Sequence, residues 1–488
     1  MENLKSLNLK RCEFLASSPD LSGSPNLEFL DLSFCTSLKK IHSSVGSLKK
    51  LVHLDLQGCS KLRMLPGIVN WRSLQTINLN YCRMVESFPE IVGEMKYMTS
   101  LRLFSTGIKA LPSSIGYLIN LEWLELDNCG NLTDLPCSIY EFQNLEEVLL
   151  NDCPKLVRFP NKGDSEVLPT YSKVSHDKGC SSMEPDNLVL RGFTARGCAT
   201  LSNTDFLASL DWALEIDLSG SAIVILSECI NKIGYLRELN LSGCRRLVEI
   251  PELPPSIRRL DVSDCISLER ISKLSNVLER KESQMIEEMD LTNCWRLCQN
   301  LVQMANKDDD EVGADLFFPL LSSQQSKFTI TFPVPRSEVP KWFSCQMDFY
   351  RRFEFCIETL ANFKWDNTGL ALCVAVDQKL QYTDFVVYIH INEVRVSYLP
   401  EQLVNSAELD HVWLHYVPFL EMWRVGYMRP LPPFTCRVIM LQYFYKSASI
   451  KSCGVHLVMP PNENVCMKLI HAENLTSKLS DDEVYKEF

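Results

Sequence analysis

The sequence predicts two folded regions, a repeat-built α/β solenoid with a parallel sheet on its concave face and an all-β sandwich after it. An apolar pattern recurs about every 23 to 24 residues through roughly the first three hundred positions. The later part has no such period and alternates aromatic with β-branched residues, as strands do. The length of 488 residues also exceeds what one ordinary compact core holds, so two regions are expected.

The repeat has the form LxxLxLxxC and is first complete at Leu27, Leu30, Leu32 and Cys35. Its spacing lies within the range of leucine-rich repeats, about 20 to 29 residues. We count about a dozen repeats, including one degenerate copy near residues 188–198. The other copies cover residues 4–12, 27–35, 51–59, 74–82, 98–106, 121–129, 145–153, 213–221, 236–244, 257–265 and, more loosely, 286–294, and those at 98–106 and 213–221 end in a hydroxyl residue.

The alternation in LxxLxL places the leucines on one face of a short strand, and stacked strands then form a parallel sheet. A second apolar pair, such as Leu132 and Leu135, returns the chain across the convex side in a segment too short for a long helix. About nine of the 20 cysteines take the inward position after the strand. A small side chain fits there, and its S–H can donate to the loop backbone. Their survival as thiols would indicate a reducing compartment.

The repeat pattern is interrupted and then ends. A stretch rich in Ser, Asp, Gly, Lys and Pro predicts an insertion with one degenerate repeat over residues 161–210. The acidic run KDDDEVG follows the last repeat. We therefore expect a solenoid over 1–305, an acidic linker over 306–325, a β-sandwich over 326–460 and a charged tail over 461–488.

The composition disfavours several classes of function. The net charge of −12 repels nucleic acid and anionic lipid, so proteins are the expected partners. No signal peptide or membrane span is recognised, which predicts a cytoplasmic protein and leaves nuclear entry open. None of the eight histidines has a spacing typical of a nucleophilic or metal site, so we predict no catalysis, no cofactor and no metal.

The phrases LKKLVHLDLQGCSKLRMLP and LRELNLSGCRRLVEIPELPPSIRRLDVSDC resemble the repeats of plant TIR-type nucleotide-binding leucine-rich-repeat resistance receptors. FPVPRSEVPKWFSCQ and KSCGVHLVMP are similar to the opening and closing segments of the jelly-roll, immunoglobulin-like domain that follows those repeats. The resemblance marks five residues of the opening motif, namely Ser337, Glu338, Pro340, Trp342 and Phe343. We expect Trp342 and Phe343 to be packing residues rather than ligand contacts.

The resemblance implies a function in plant immunity. In such receptors the repeats and the jelly-roll domain recognise a pathogen effector or a guarded host protein and restrain the nucleotide-binding (NB-ARC) domain, in cis or in trans. Relatives also carry a TIR domain that cleaves NAD. This sequence has no GxxxxGK[ST] phosphate loop and no TIR segment, so neither activity is assigned to it.

The outward-facing strand positions are the expected binding surface, because successive repeats present them as one continuous face. One column of these positions is mostly acidic, which fits either a hydrated sheet face or a docking face for a basic partner. The sharpest candidate site combines aromatic side chains with an arginine, the residue types enriched in binding hot spots, at Tyr81, Arg102, Phe104, Trp123 and Glu125. The alternative is that these aromatics only shield neighbouring strands.

Three other functions remain open from the sequence. A stand-alone repeat adaptor or decoy that regulates full-length receptors would need no upstream domains. The substrate-recognition part of a ubiquitin ligase would be expected to follow an F-box, and an extracellular receptor would need a signal peptide. Sequence upstream of Met1 that encodes TIR and phosphate-loop motifs would favour the receptor over the adaptor.

Overall fold

A computed structural model describes residues 2–142, 144–157, 159–160, 190–210, 213–274, 286–305, 327–333, 339, 343, 345–348, 352–365, 368–376, 382–404, 411–422, 432–442, 450–459 and 467–474. The chain forms two compact units, Met1–Ile257 and Arg258–Phe488. The predicted acidic linker and most of the predicted insertion lie outside the described residues.

The first unit contains a parallel sheet of short strands, one for each repeat. Its strands pair in chain order, and the middle residue of each strand pairs with the middle residue of the next. Those middle side chains are buried from β2 onward, so the apolar pattern does fill the interior. The strands are β1 (Ser6–Asn8), β2 (Phe29–Asp31), β3 (His53–Asp55), β5 (Thr76–Asn78), β7 (Ser100–Arg102), β8 (Trp123–Glu125), β9 (Glu147–Leu149), β10 (Gly192–Thr194), β11 (Glu215–Asp217) and β12 (Glu238–Asn240).

The return segments are single turns of 3-10 helix or very short strands. Proline precedes two of these turns, at Pro112 and Pro136, where its fixed φ suits a helix start. The side chains of His42 and Ser227 accept a backbone N–H at two others. The turns cover Ser43–Ser47, Ser113–Tyr117, Cys137–Glu141, Asp205–Ser209 and Glu228–Lys232, and the short strands of this unit are β4 (Ile68–Val69), β6 (Glu90–Ile91) and β13 (Glu249–Ile250).

Each repeat in the described residues turns inward through one residue with a left-handed backbone. Glycine occupies that position in several repeats, and elsewhere L residues accept it, as at Tyr81 with φ 65°. The next residue is the cysteine or hydroxyl of the repeat motif. The left-handed residues are Arg11, Phe34, Gly58, Tyr81, Ser105, Asn128, Asp152, Gly197, Gly220, Gly243, Asp264 and Asn293, which agrees with the dozen repeats counted in the sequence.

The inward cysteines form a ladder of hydrogen bonds between repeats. Cys59 Sγ donates to the carbonyl of Leu32 at 3.1 Å, and Cys82 Sγ donates to that of Leu56 at 3.0 Å. The prediction that these thiols donate to the loop backbone is confirmed. Equivalent bonds are made by Cys35, Cys129, Cys153, Cys198, Cys244 and Cys294.

We expect the ladder thiols to resist alkylation in the folded protein. Burial raises the pKa of Cys59 to about 12 and that of Cys244 to about 11, so little thiolate is present at neutral pH. Cys12 is exposed and serves as the internal control. Iodoacetamide followed by peptide mass mapping should modify Cys12 first and the ladder only after urea unfolding. Equal rates at Cys12 and Cys59 would contradict the ladder.

The second unit begins with repeat-type strands. β14 (Arg259–Asp261) pairs in parallel with β16 (Glu288–Asp290), and β16 pairs in parallel with β17 (Phe328–Pro333). The short strand β15 (Arg270–Ile271) and helix α1 (Trp295–Ala305) lie between them in sequence. Because β17 also pairs with an antiparallel strand, the repeat-type strands and the all-β region share one sheet in this unit.

Two sheets packed over one core form the rest of this unit. The first has the order β17-β23-β20-β25-β18 and the second β22-β21-β24-β19-β26. Phe355 from one sheet and Trp413 from the other share the same buried cluster, so the predicted sandwich is present. The strands are β18 (Cys345–Asp348), β19 (Arg352–Thr359), β20 (Gly369–Val376), β21 (Tyr382–Ile391), β22 (Val394–Val404), β23 (His411–Pro418), β24 (Thr435–Gln442), β25 (Ile450–Val458) and β26 (Met467–Asn474), with helix α2 (Phe419–Met422).

Two features differ from the sequence-based expectation. β26 pairs with β19 although it falls within the stretch 461–488 that was predicted to be a tail, so the sheet extends beyond residue 460. The segment KSCGVHLVMP forms β25, which is therefore not the last strand. The degenerate repeat near residues 188–198 provides β10 as a regular member of the parallel sheet.

Candidate protein-binding face

The first and third residues of each repeat strand point away from the core, and we call the side they form the outward face. The acidic column found in the sequence is the third position. Asp55 Oδ1 accepts the N–H of Gln57 at 2.9 Å, which fixes the turn that leads to the left-handed residue. The same bond to the residue two positions on is made by Asn8, Asp31, Asn78, Asp217, Asn240, Asp261 and Asp290. Most of the column therefore has a structural role that neither interpretation of the sequence included.

Four consecutive strands, β7 to β10, depart from this rule. Their third residues are Arg102, Glu125, Leu149 and Thr194, and a side chain of the preceding repeat accepts the turn N–H in three cases. Asn80 accepts from Phe104 at 3.0 Å, Asp127 from Asn151 at 2.8 Å and Asn151 from Arg196 at 3.0 Å. The side chains at these four third positions therefore make no turn bond of the kind found in the rest of the column.

The structure brings the five predicted site residues together on these and the adjoining turns. Arg102 and Glu125 are register partners on β7 and β8, and Trp123 begins β8. Tyr81 and Phe104 meet edge to face with ring centroids 5.2 Å apart. Tyr81 is 43% exposed, Arg102 is exposed, and Phe104, Trp123 and Glu125 are half-buried.

Polar atoms on this face are left unpaired. Trp123 Nε1 and the hydroxyl of Ser100, its register partner on β7, are both buried without a hydrogen bond. The Thr194 hydroxyl on β10 is in the same condition. Buried donors without partners are uncommon and costly in folded proteins, so their occurrence on β7, β8 and β10 distinguishes this part of the face.

The carboxylates of the face are poorly compensated. Burial raises the pKa of Glu125 above its ordinary value, Asp127 raises it further, and Arg102 acts in the opposite direction. Burial likewise raises the pKa of Glu147, with a further contribution from Glu146. The raised pKa values of Glu125 and Glu147 both mean that the ionised carboxylates lack full stabilisation.

The post-repeat motif gives a different result. Ser337, Glu338, Pro340 and Trp342 lie outside the described residues. Phe343 is 4% exposed, and its ring meets that of His456 edge to face at 6.0 Å. The expectation that Phe343 is a packing residue is confirmed.

The described ranges contain neither a metal-type cluster nor a membrane-spanning helix. They contain no group of three or more His, Cys, Asp or Glu side chains that could hold a metal ion. They also contain no helix long and apolar enough to cross a bilayer.

Comparison with known proteins identifies the repeats. Residues 70–292 match the family model of leucine-rich repeats from disease resistance proteins like RPS4B. Over residues 70–292 the repeats are leucine-rich repeats of the disease-resistance type. The region that matches the family model includes all of β7 to β10, the four strands whose third residues make no turn bond.

Individual relatives of these resistance-type repeats extend the similarity to most of the chain. Disease resistance-like protein DSC1 of Arabidopsis thaliana is 32% identical over 77% of this chain and 32% of its own length. TMV resistance protein N of Nicotiana glutinosa is 26% identical over 97% of this chain and 44% of its own length. The chain thus spans less than half the length of either relative.

Two solved structures match the chain only weakly. The leucine-rich repeat domain of the type III effector XopL has a TM-score of 0.33 and 21% identity, covering 44% of this chain and 68% of that one. A domain of InlJ from Listeria monocytogenes has a TM-score of 0.21 and 15% identity, covering 59% of each chain. Both scores are low, so the identification rests on the sequence relatives.

Proposed function

We propose that this chain is the effector-recognition and autoinhibitory part of a cytoplasmic plant immune receptor, acting through protein binding and without catalysis of its own. The observation that carries the proposal is the release of four consecutive third positions, on β7 to β10, from the turn bonds that hold this column elsewhere. Binding surfaces of repeat proteins lie where exposed positions are free to vary between repeats.

The proposed recognition site is the set Tyr81, Arg102, Phe104, Trp123 and Glu125. Its aromatic and arginine side chains are those that carry most binding energy in protein interfaces. The proposed partner is a pathogen effector or a guarded host protein. The post-repeat motif around Phe343 belongs to the domain that would assist recognition through its loops.

Binding to a panel of effector proteins tests the recognition site. Trp123→Ala and Phe104→Ala should each weaken binding of any partner found by about tenfold or more, as hot-spot truncations do. Tyr235→Ala is the matched control, because Tyr235 is 58% exposed and lies outside the site. If both site variants bind as the wild type does, by biolayer interferometry and with unchanged circular dichroism, the site assignment is wrong.

The autoinhibitory role has its own experiment. This chain should co-precipitate with a separately expressed NB-ARC domain of a related resistance receptor, and an effector bound at the candidate site should release it. Absence of any such association, in a preparation whose sheet is intact by circular dichroism, would remove autoinhibition from the proposal while leaving recognition untouched.

A further inference from the structure

We infer that the face of β8 and β9 takes a basic segment of the partner, with a lysine or arginine side chain lying over the indole of Trp123 among carboxylates. This rests on the proposed recognition function and names the chemistry of its partner. The surrounding carboxylates, which we call the acidic rim, belong to Glu122, Glu125, Asp127, Glu146 and Glu147.

Sheet register places the rim around the indole. Glu147 is the direct partner of Trp123 on the neighbouring strand, and parallel strands are about 4.8 Å apart. Glu125 follows two residues later on the same face of β8. The N–H groups of Glu146 and Glu147 both donate to the carbonyl of Glu122, at 2.8 and 3.0 Å, which holds Glu122 and Glu146 beside them.

The cations described near the rim are too few to neutralise it. Arg102 acts on Glu125, and Arg191 lies 3.7 Å from Glu146. Arg196, on the turn after β10, pairs with Asp217 at 2.8 Å instead. An incoming cation would therefore meet carboxylates that like-charged neighbours and burial hold in a poorly compensated state.

The indole supplies a second attraction for the same group. Trp123 is half-buried, and a guanidinium or ammonium over the face of a tryptophan is attracted by the negative face of its ring. Unlike the aspartates of the turn column, the rim glutamates form none of the turn bonds that occupy Asp55 and its equivalents. These four glutamates are consequently available to a ligand without loss of the turns, whereas Asp127 already accepts the N–H of Asn151 at 2.8 Å.

A basic peptide is the occupant that this chemistry favours over the other classes. Nucleic acid carries the same sign of charge as the rim and the chain. A metal ion would need ligands grouped at coordination distance, which the described residues do not provide. An acidic or purely apolar segment would leave the rim uncompensated.

The experiment uses a fluorescein-labelled nona-arginine peptide, the intact chain and fluorescence anisotropy. Glu125→Gln/Glu147→Gln should weaken binding by about fivefold or more, and Trp123→Leu should weaken it while keeping apolar bulk. The matched control is Glu215→Gln/Glu238→Gln, which removes the same charge from register partners on β11 and β12. It should change affinity by less than about twofold.

Equal weakening by the two double variants would overturn the inference, because binding would then follow net charge alone. Unchanged peptide binding by Trp123→Leu would refute the inferred contact between the basic side chain and the indole. The effector-panel experiment separates the two proposals. A partner that depends on Phe104 but docks through an acidic segment would refute the basic occupant and retain the recognition function. If the peptide binding depends on the rim but no partner depends on Trp123 or Phe104, the basic occupant is retained and the recognition function is refuted.

Discussion

Truncation of Leu124 to alanine is expected to lower the free energy of unfolding of the first unit by about 2 to 5 kcal/mol. Leu124 is fully buried in the middle of β8, between Leu101 and Val148 in the sheet. Its removal leaves a cavity that the neighbouring repeats cannot close, since each is held by its own register. Urea denaturation followed by circular dichroism measures the change.

The control for this variant is Ile225→Ala, which removes a similar apolar side chain that is 62% exposed. Its effect should stay within about 0.5 kcal/mol. Because adjacent repeats stabilise one another, the Leu124 variant should shift the main transition rather than add an early one. A Leu124 variant as stable as the Ile225 variant would show that the register assigned to the repeats is wrong.

The repeat architecture could be predicted because each position of LxxLxLxxC is chemically determined. Leu30 and Leu54 must be apolar to fill the interior, and Cys59 must be small and able to donate inward. Repetition then multiplies a weak local signal about a dozen times. A single strand such as β26 has no repeated signal, and its pairing with β19 depends on long-range contacts that no local pattern encodes.

The turn role of the acidic column was missed although its signal was present. A short Asp or Asn stands three residues before a left-handed residue, often glycine, as Asp55 does before Gly58 and Asn240 before Gly243. Thr194 lies in the degenerate repeat, so the sequence did not show it as the third residue of a strand. The four consecutive third positions without a turn bond therefore could not be recognised as consecutive. The outward residues of the candidate site follow no period, and the sequence alone could only group them by chemistry.

Asp290→Asn is expected to stabilise the second unit at neutral pH, by about 1 to 2 kcal/mol after allowance for its partial contact with solvent. Asp290 ends β16, which lies between β14 and β17. Burial there raises the pKa of Asp290 from 3.8 to about 6, and the charges of Asp261 and Glu288 contribute, although Thr292 donates to its carboxylate. Asparagine keeps the acceptor for Thr292 and removes the charge.

The pH dependence gives this prediction its sign. Well below pH 3.8 Asp290 is protonated in both the folded and unfolded states, so aspartate and asparagine should differ little. Between about pH 4 and 6 the unfolded state ionises this carboxyl while the folded state keeps it protonated, so wild-type stability falls relative to the variant. The gap should open between pH 4 and 6 and remain constant above it.

Urea denaturation across that pH range measures the gap, and hydrogen exchange of the Leu291 amide, which donates to Thr331, assigns it to the second unit. Asp55→Asn makes the same substitution at the equivalent turn of the first unit, and its change in stability reports the cost of replacing aspartate with asparagine at such a turn. A wild type that gains stability over Asp290→Asn as the pH rises would mean that the ionised carboxylate is well solvated or paired. The burial of β16 between a repeat strand and a sandwich strand would then not be the physical cause of the raised pKa.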